Sequence, residues 1–248
     1  MGMDLKKIVI VLVRPEESRN VGAVCRAMAN SGLGMLRIVG SRDDFDDERV
    51  RILAIHAAGI WEQARFFDDI KSATADCTFA AGTTRRRGKK RTDKLLLPEE
   101  CADIMARITG TYADEGGKAA LLFGNERTGL TDDELAACTA GVIIPASPDF
   151  ASLNLSHAVQ IMGYQLFRAQ DTTSPGYTPI ALERLDRTVT TIADDLQKIG
   201  FFTLAGRPDM ERFWRMMLSR AALSEGEAAY LEKLFDKAAG LATRGQAT

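Results

Sequence analysis

Leu121–Leu122–Phe123–Gly124–Asn125–Glu126–Arg127–Thr128–Gly129–Leu130 is the stretch on which the reading of the fold turns. An apolar run, Ala119–Phe123, stops at a glycine and gives way at once to a polar turn with a second glycine. Short apolar runs bounded in this way belong to strands covered on both faces, as in parallel α/β sheets. In such sheets ligands lie beyond the carboxyl ends of the strands, where glycine lets the backbone come close to them. The turn is not a G-x-G-x-x-G fingerprint and lacks the Lys-Ser/Thr pair of a P-loop, which argues against both common nucleotide folds. Taken alone, it reads equally well as a tight turn with polar side chains.

Working outward, the runs Ile8–Val13, Met35–Val39, Cys77–Ala81 and Val142–Ile144 are further strand candidates, with segments of helical length between them. Val21, Val24, Cys25 and Met28 stand at i, i+3, i+4 and i+7, the stripe of a helix lying on a sheet. Thr131 and Glu134 have the spacing of a capping box. The alternation predicts an α/β domain with a largely parallel sheet and helices on both faces. A long helix is expected over Leu153–Ala169, and Thr172–Gly176 reads as a linker. Beyond it, Leu182, Leu185, Val189, Ile192, Leu196 and Ile199 form a heptad-like seam. Pro208 suits the first turn of a second helix around Met210, Phe213, Trp214 and Met217. Ser224 with Glu227 caps a third, which carries Leu231, Leu234 and Phe235. The expected organisation is an α/β domain over residues 1–172 and a helical extension over 177–248.

Composition agrees with that picture. At 248 residues, 46% hydrophobic and 27% charged, the chain can bury a sizeable core and wholesale disorder is excluded. No apolar run approaches the roughly 20 residues needed to span a bilayer. The lysines before Ile8 are followed, after one short apolar run, by Arg14, Pro15, Glu16 and Glu17, so a buried strand is expected there rather than a leader peptide. Cys25, Cys77, Cys101 and Cys138 are scattered, and the only histidines are His56 and His157. No metal site is expected, and the cysteines read as small core hydrophobes of a protein in the reducing cytoplasm. A net charge of −2 argues against indiscriminate polyanion binding, yet Arg85, Arg86, Arg87, Lys89, Lys90 and Arg91 form one dense basic run. Such a run suits a selective phosphate contact, or else a solvated loop.

Two other segments carry polar groups at telling positions. On the first helix, Arg19, Gly22 and Arg26 lie off the apolar stripe. Helical side chains lean toward the N-terminus, so Arg26 is expected to lie back over Gly22, a guanidinium in a cleared groove or simply a solvated arginine. In Ile144–Pro145–Ala146–Ser147–Pro148–Asp149–Phe150–Ala151–Ser152–Leu153–Asn154–Leu155–Ser156, a strand ends and a helix begins near Ser152. Ser152 and Asn154 then fall where helix N–H groups are free, either to meet a ligand or, for Ser152, to cap the helix. His157 beside them reads as structural.

The order and spacing of these segments decide more than any one of them. N-x-G-x-x-x-R over Asn20–Arg26, F-G-x-E-x-x-G-L over Phe123–Leu130 and I-P…S-L-N-x-S over Ile144–Ser156 resemble the three signature motifs of the SpoU (also called TrmH) methyltransferases of the SPOUT superfamily. Within that family the phrasing around Ser152–Gln160 and the helical tail look most like the TrmJ branch. The resemblance spans roughly residues 5–170. It implies a deep trefoil knot over about Gly117–Ala169, S-adenosylmethionine as cofactor, a homodimer, and methylation of a ribose 2′-hydroxyl at nucleotide 32 of the tRNA anticodon loop. It also implies no metal, because the methyl donor is already activated.

Carried over by motif position, the resemblance places cofactor contacts at Thr83, Thr84, Arg85, Gly124, Ile144, Ala151, Ser152 and Leu153. It gives catalytic importance to Arg26, with Asn20, Glu126, Ser152 and Asn154 orienting it and the ribose. An arginine normally has a pKa above 12, so Arg26 is expected to act either as the family's proposed base or by stabilising a developing alkoxide. Arg86, Arg87, Lys89, Lys90 and Arg91 would contact the tRNA backbone, although the related loop of the family is less uniformly basic. Two alternatives remain at this point: a SpoU enzyme acting on ribosomal RNA or another tRNA position, and a non-catalytic RNA-binding protein with the same fold.

Overall fold

The computed structural model describes residues 3–85, 95–110, 117–171, 178–202 and 206–245, with residues 171 and 243–245 described in backbone alone. The chain divides into two compact units, Met1–Thr178 and Pro179–Thr248.

The first unit is built on six strands: β1 (Ile8–Val13), β2 (Met35–Val39), β3 (Arg65–Phe67), β4 (Cys77–Thr83), β5 (Lys118–Phe123) and β6 (Ala140–Val142). They lie side by side in the order β3-β2-β1-β5-β4-β6, and every pairing is parallel. Central β1 is buried at every position, which is why its sequence is unbroken Ile, Val and Leu rather than alternating. Among the described residues the α-helices of this unit are α1 (Ser18–Asn30), α2 (Asp47–Ala54), α3 (Ala58–Glu62), α4 (Ile70–Thr74), α5 (Pro98–Thr109), α6 (Asp132–Ala136) and α7 (Leu155–Arg168). The expected stripe Val21, Val24, Cys25 and Met28 is buried in one core with Leu155, Val159, Met162 and Leu166 of α7. Two glycines let neighbouring elements close on α1 and α7. A Cβ on Gly163 would meet Ser31 Oγ at 2.7 Å, and one on Gly22 would meet the Val50 carbonyl of α2 at 2.2 Å.

Several sequence expectations shift here. The last strand is Ala140–Val142, not Val142–Ile144, because the Thr139 N–H bonds the Ala80 carbonyl and starts the pairing early, while the Ile143 N–H turns to Leu96. Strand β4 runs on to Thr83, and β3 went unread because it has three residues at a sheet edge with Arg65 exposed. The long helix begins at Leu155 rather than Leu153, since Asn154 is its N-cap. The capping box at Thr131 and Glu134 is present. All four cysteines are buried and stand outside any disulfide, and burial pushes the thiols of Cys25, Cys77 and Cys101 up to about 12.

The second unit holds α8 (Leu182–Lys198), α9 (Arg207–Ala221) and α10 (Glu225–Gly245). Leu182, Leu185, Val189, Ile192 and Leu196 of the seam are buried. Pro208 sits in the first turn of α9, and Ser224 and Glu227 cap α10 reciprocally. Arg184 ties α8 to α10 by bonding both Glu225 and Glu232. Trp214 packs edge-on against Phe213 and Phe235. Phe213, Met217 and Leu234, read as apolar-face residues, are substantially exposed.

Candidate active site

The strands β5, β4 and β6 run parallel, so their carboxyl ends lie at one end of the sheet, and the chain beyond them lines a cleft. After β5 the chain doubles back so tightly that a Cβ on Gly124 would meet the Leu130 nitrogen at 2.1 Å and the Gly129 carbonyl carbon at 2.2 Å. Only glycine fits. Gly129 closes the turn at φ +67° and donates its N–H to the Asn125 carbonyl at 2.7 Å. Asn125, which the sequence reading passed over, pins the turn to the end of β1. Its amide donates to the Arg14 carbonyl (2.9 Å) and to Glu16 Oε1 (3.0 Å), and its Oδ1 accepts from the Arg127 N–H (2.9 Å). An asparagine between two turn glycines was the available signal, because its amide can bridge backbone groups on either side.

Glu126 reaches across to the start of α1. Its carboxylate accepts from the Glu16 N–H (2.9 Å), the Glu17 N–H (3.3 Å) and Asn20 Nδ2 (3.0 Å). Glu17, the N-cap of α1, makes no side-chain cap, and the carboxylate of Glu126 binds the N-cap's own N–H at the helix start, where the helix dipole also favours it. Asn20 Oδ1 in turn accepts from Asn154 Nδ2 at 3.0 Å. Asn154 Oδ1 caps α7 by accepting from the Ser156 N–H (2.9 Å) and hydroxyl (2.8 Å). Glu126, Asn20 and Asn154 thus form one hydrogen-bonded chain joining the three segments that carry the motifs.

Thr83, Thr84, Arg85, Gly124, Ile144, Ala151, Ser152 and Leu153 all line the cleft, with Glu126 and the apolar Leu130, Leu155 and Ala158. Ser152 is exposed and lies two residues before the α7 cap, so it does not cap the helix. Arg26 is not in the cleft lining. It is exposed on α1 and, among the described residues, has no ion-pair or hydrogen-bond partner. The expected groove over Gly22 is absent: Gly22 is buried against α2, so its missing side chain serves helix packing. His157 is exposed and is not in the cleft lining. Arg86, Arg87, Lys89, Lys90 and Arg91 lie outside the described residues. Among the described residues no group of three or more His, Cys, Asp or Glu side chains is placed to hold a metal, and no helix is long and apolar enough to cross a membrane.

This geometry has relatives. Residues 7–164 match the model of the SpoU rRNA Methylase family. The crystal structure of TrmJ from Z. mobilis ZM4 superposes with a TM-score of 0.74 at 32% identity, covering 92% of this chain and 97% of that one. A tRNA (cytidine/uridine-2′-O-)-methyltransferase TrmJ of Pectobacterium atrosepticum is 33% identical over 224 residues, 88% of this chain and 90% of its own length. An uncharacterized tRNA/rRNA methyltransferase of Haemophilus influenzae is 38% identical over 162 residues, 65% of this chain, and the match spans 63% of its length.

Proposed function

The chain belongs to the SpoU rRNA Methylase family and, on that footing, we propose that it is an RNA 2′-O-methyltransferase whose substrate is tRNA and whose target is the ribose of nucleotide 32. One observation supports this reading above the others. The Glu126–Asn20–Asn154 chain holds the three motif segments together at the mouth of a cleft lined by every residue assigned to the cofactor.

The lining suits S-adenosylmethionine. Leu130, Ile144, Leu153 and Ala158 give apolar walls to an adenine, while Ser152 offers a hydroxyl to a ribose. Glu126, the carboxylate in the lining, is occupied by its own donors and does not demand a metal. When bound, the cofactor supplies a methyl group already activated by its positive sulfur. The residues of the chain must then place the 2′-hydroxyl and stabilise the negative charge that grows on its oxygen. Arg26 is assigned that second task as a charged donor, since a guanidinium is a poor base but a strong hydrogen-bond partner for an alkoxide. Because Arg26 is outside the cleft lining of its own subunit, the reading includes a homodimer in which it serves the partner's cleft. Asn20 and Asn154 set the geometry around it. The trefoil knot over Gly117–Ala169 belongs to the same proposal, as does tRNA-backbone contact by Arg86, Arg87, Lys89, Lys90 and Arg91.

Incubation with labelled S-adenosylmethionine and unmodified tRNA transcripts, followed by mapping of the methylated nucleotide, tests the reading. Methyl at nucleotide 32 is the expected outcome. Methyl at another tRNA position or only in ribosomal RNA would move the target within the family, and no transfer to any RNA would sink the enzymatic assignment.

A further inference from the structure

The loop that carries Ser152 holds one residue for which neither cleft nor core has a use. Phe150 is 79% exposed, more than any other large hydrophobic side chain among the described residues. It ends a short 3-10 turn, Pro148–Phe150, held by its N–H bonding the Ser147 carbonyl at 3.1 Å and stiffened by Pro148. The next residues, Ala151, Ser152 and Leu153, line the cleft, so the ring stands at the cleft rim. A ring left in water forfeits the stabilisation its burial would bring. The turn itself does not call for an aromatic side chain. The same cleft carries two exposed cations, Arg85 and Arg127, the latter paired with Glu16 at 2.8 Å yet 81% exposed. Asp149, exposed beside the ring, disfavours a phosphate at this end of the loop. An uncharged π-face on a loop of a cleft that also carries cations is the chemistry that takes an unstacked base and its backbone.

We propose that Phe150 is a positioning residue for the RNA, stacking on the base of the target nucleotide and so holding its ribose over the cleft. The proposal rests on the reading of the site as an RNA 2′-O-methyltransferase. Steady-state kinetics with an unmodified tRNA transcript, together with tRNA and S-adenosylmethionine affinities, should be compared for wild type, Phe150→Ala and Phe150→Trp. Loss of a base–aromatic stack predicts that Phe150→Ala raises KM for tRNA about tenfold, with kcat within about twofold and cofactor affinity unchanged, and that Phe150→Trp restores KM. A transcript made abasic at the methylated nucleotide should weaken wild-type binding by a similar factor and weaken Phe150→Ala no further.

An unchanged KM in Phe150→Ala overturns the proposal, as does an equal abasic penalty in both proteins. Lost cofactor affinity would assign the ring to the cofactor, and a change in sedimentation would assign it to a subunit contact; either result also overturns it. If wild type methylates no RNA, the enzymatic reading fails, while the tRNA affinities of the same variants still decide the stacking.

Discussion

Strands β4 and β5 have a charged cluster where they begin and another where they end, and the two are built on opposite plans. At the start, Asp76 accepts from Arg37 at 2.5 and 2.9 Å and from Lys118 at 2.7 Å. Arg37 is 4% exposed and also donates to the Ala73 carbonyl at 2.7 Å, so charge is answered by charge and the cluster is closed. At the other end Glu126 is satisfied by two backbone N–H groups and one amide, and among the described residues no cation touches it. Arg26 and Arg85 stand exposed and, among the described residues, without an ion-pair partner. Neutralising a carboxylate with cations fixes a fold and spends the cations. Satisfying it with neutral donors fixes the same degree of geometry and leaves positive charge for a ligand.

The sharpest way to break that contrast is Arg26→Ala. If the unpaired cation serves the reaction, its loss lowers methyl transfer by about 10³-fold, the range for removing a donor that stabilises transition-state charge. Cofactor affinity by calorimetry and the unfolding midpoint should stay as in wild type. A mutant with near wild-type turnover would strip Arg26 of its assigned role. Arg37→Ala should do the reverse. Stranding Asp76 and emptying a buried site costs several kcal/mol in a fully buried pair. Asp76 is 45% exposed, so water screens part of that loss and about 2 kcal/mol is expected. Urea unfolding measures it, and kcat/KM of the folded fraction should not move. A fall in kcat/KM without loss of stability would erase the division between the two ends.

Much of this was legible in the sequence because burial on both faces leaves a plain mark. The five strands read from apolar runs all exist, each within two residues of its expected start. What escaped has physical reasons. Strand β3 is too short and too polar to show a period. The start of α7 was misplaced because Ser152, Asn154 and Ser156 are all good capping residues, and only the Asn154 contact to the Ser156 N–H chooses between them. Gly22 looked like space for Arg26, yet the proximity of α2 that fills it is a tertiary fact with no local signature. Glu126 was legible as a motif residue, but its hold on the start of α1 depends on a partner segment more than a hundred residues away.

A smaller effect separates the two jobs of Asn154, capping α7 and holding Asn20. Asn154→Ser keeps a capping oxygen and loses the amide that donates to Asn20. Stability should change by no more than about 0.5 kcal/mol, while activity falls about tenfold, as expected when a reacting group is slightly misplaced. Asn154→Ala loses both, with about 1 kcal/mol of stability in addition. If Ser and Ala behave alike in activity and stability, the chain from Glu126 to Asn154 holds nothing in place.

The smallest effect lies at the closed end and depends on pH. Hydrogen bonds from Arg37, with Lys118 adding to them, hold the Asp76 carboxyl well below the usual carboxylate range. A depressed pKa in the folded state means that the unfolded chain takes up the proton first, at about pH 3.9. The stabilisation is therefore complete above that pH and drains away as pH falls below it. For a half-exposed carboxylate it amounts to about 1 kcal/mol, and added salt reduces it. Urea midpoints from pH 6 to pH 3 should show wild type above Asp76→Asn at pH 6, with the gap narrowing below about pH 4. A gap that stays constant across the range would mean that Asp76 does not owe its low pKa to its cations, and the closed end would lose the feature that sets it apart from the open one.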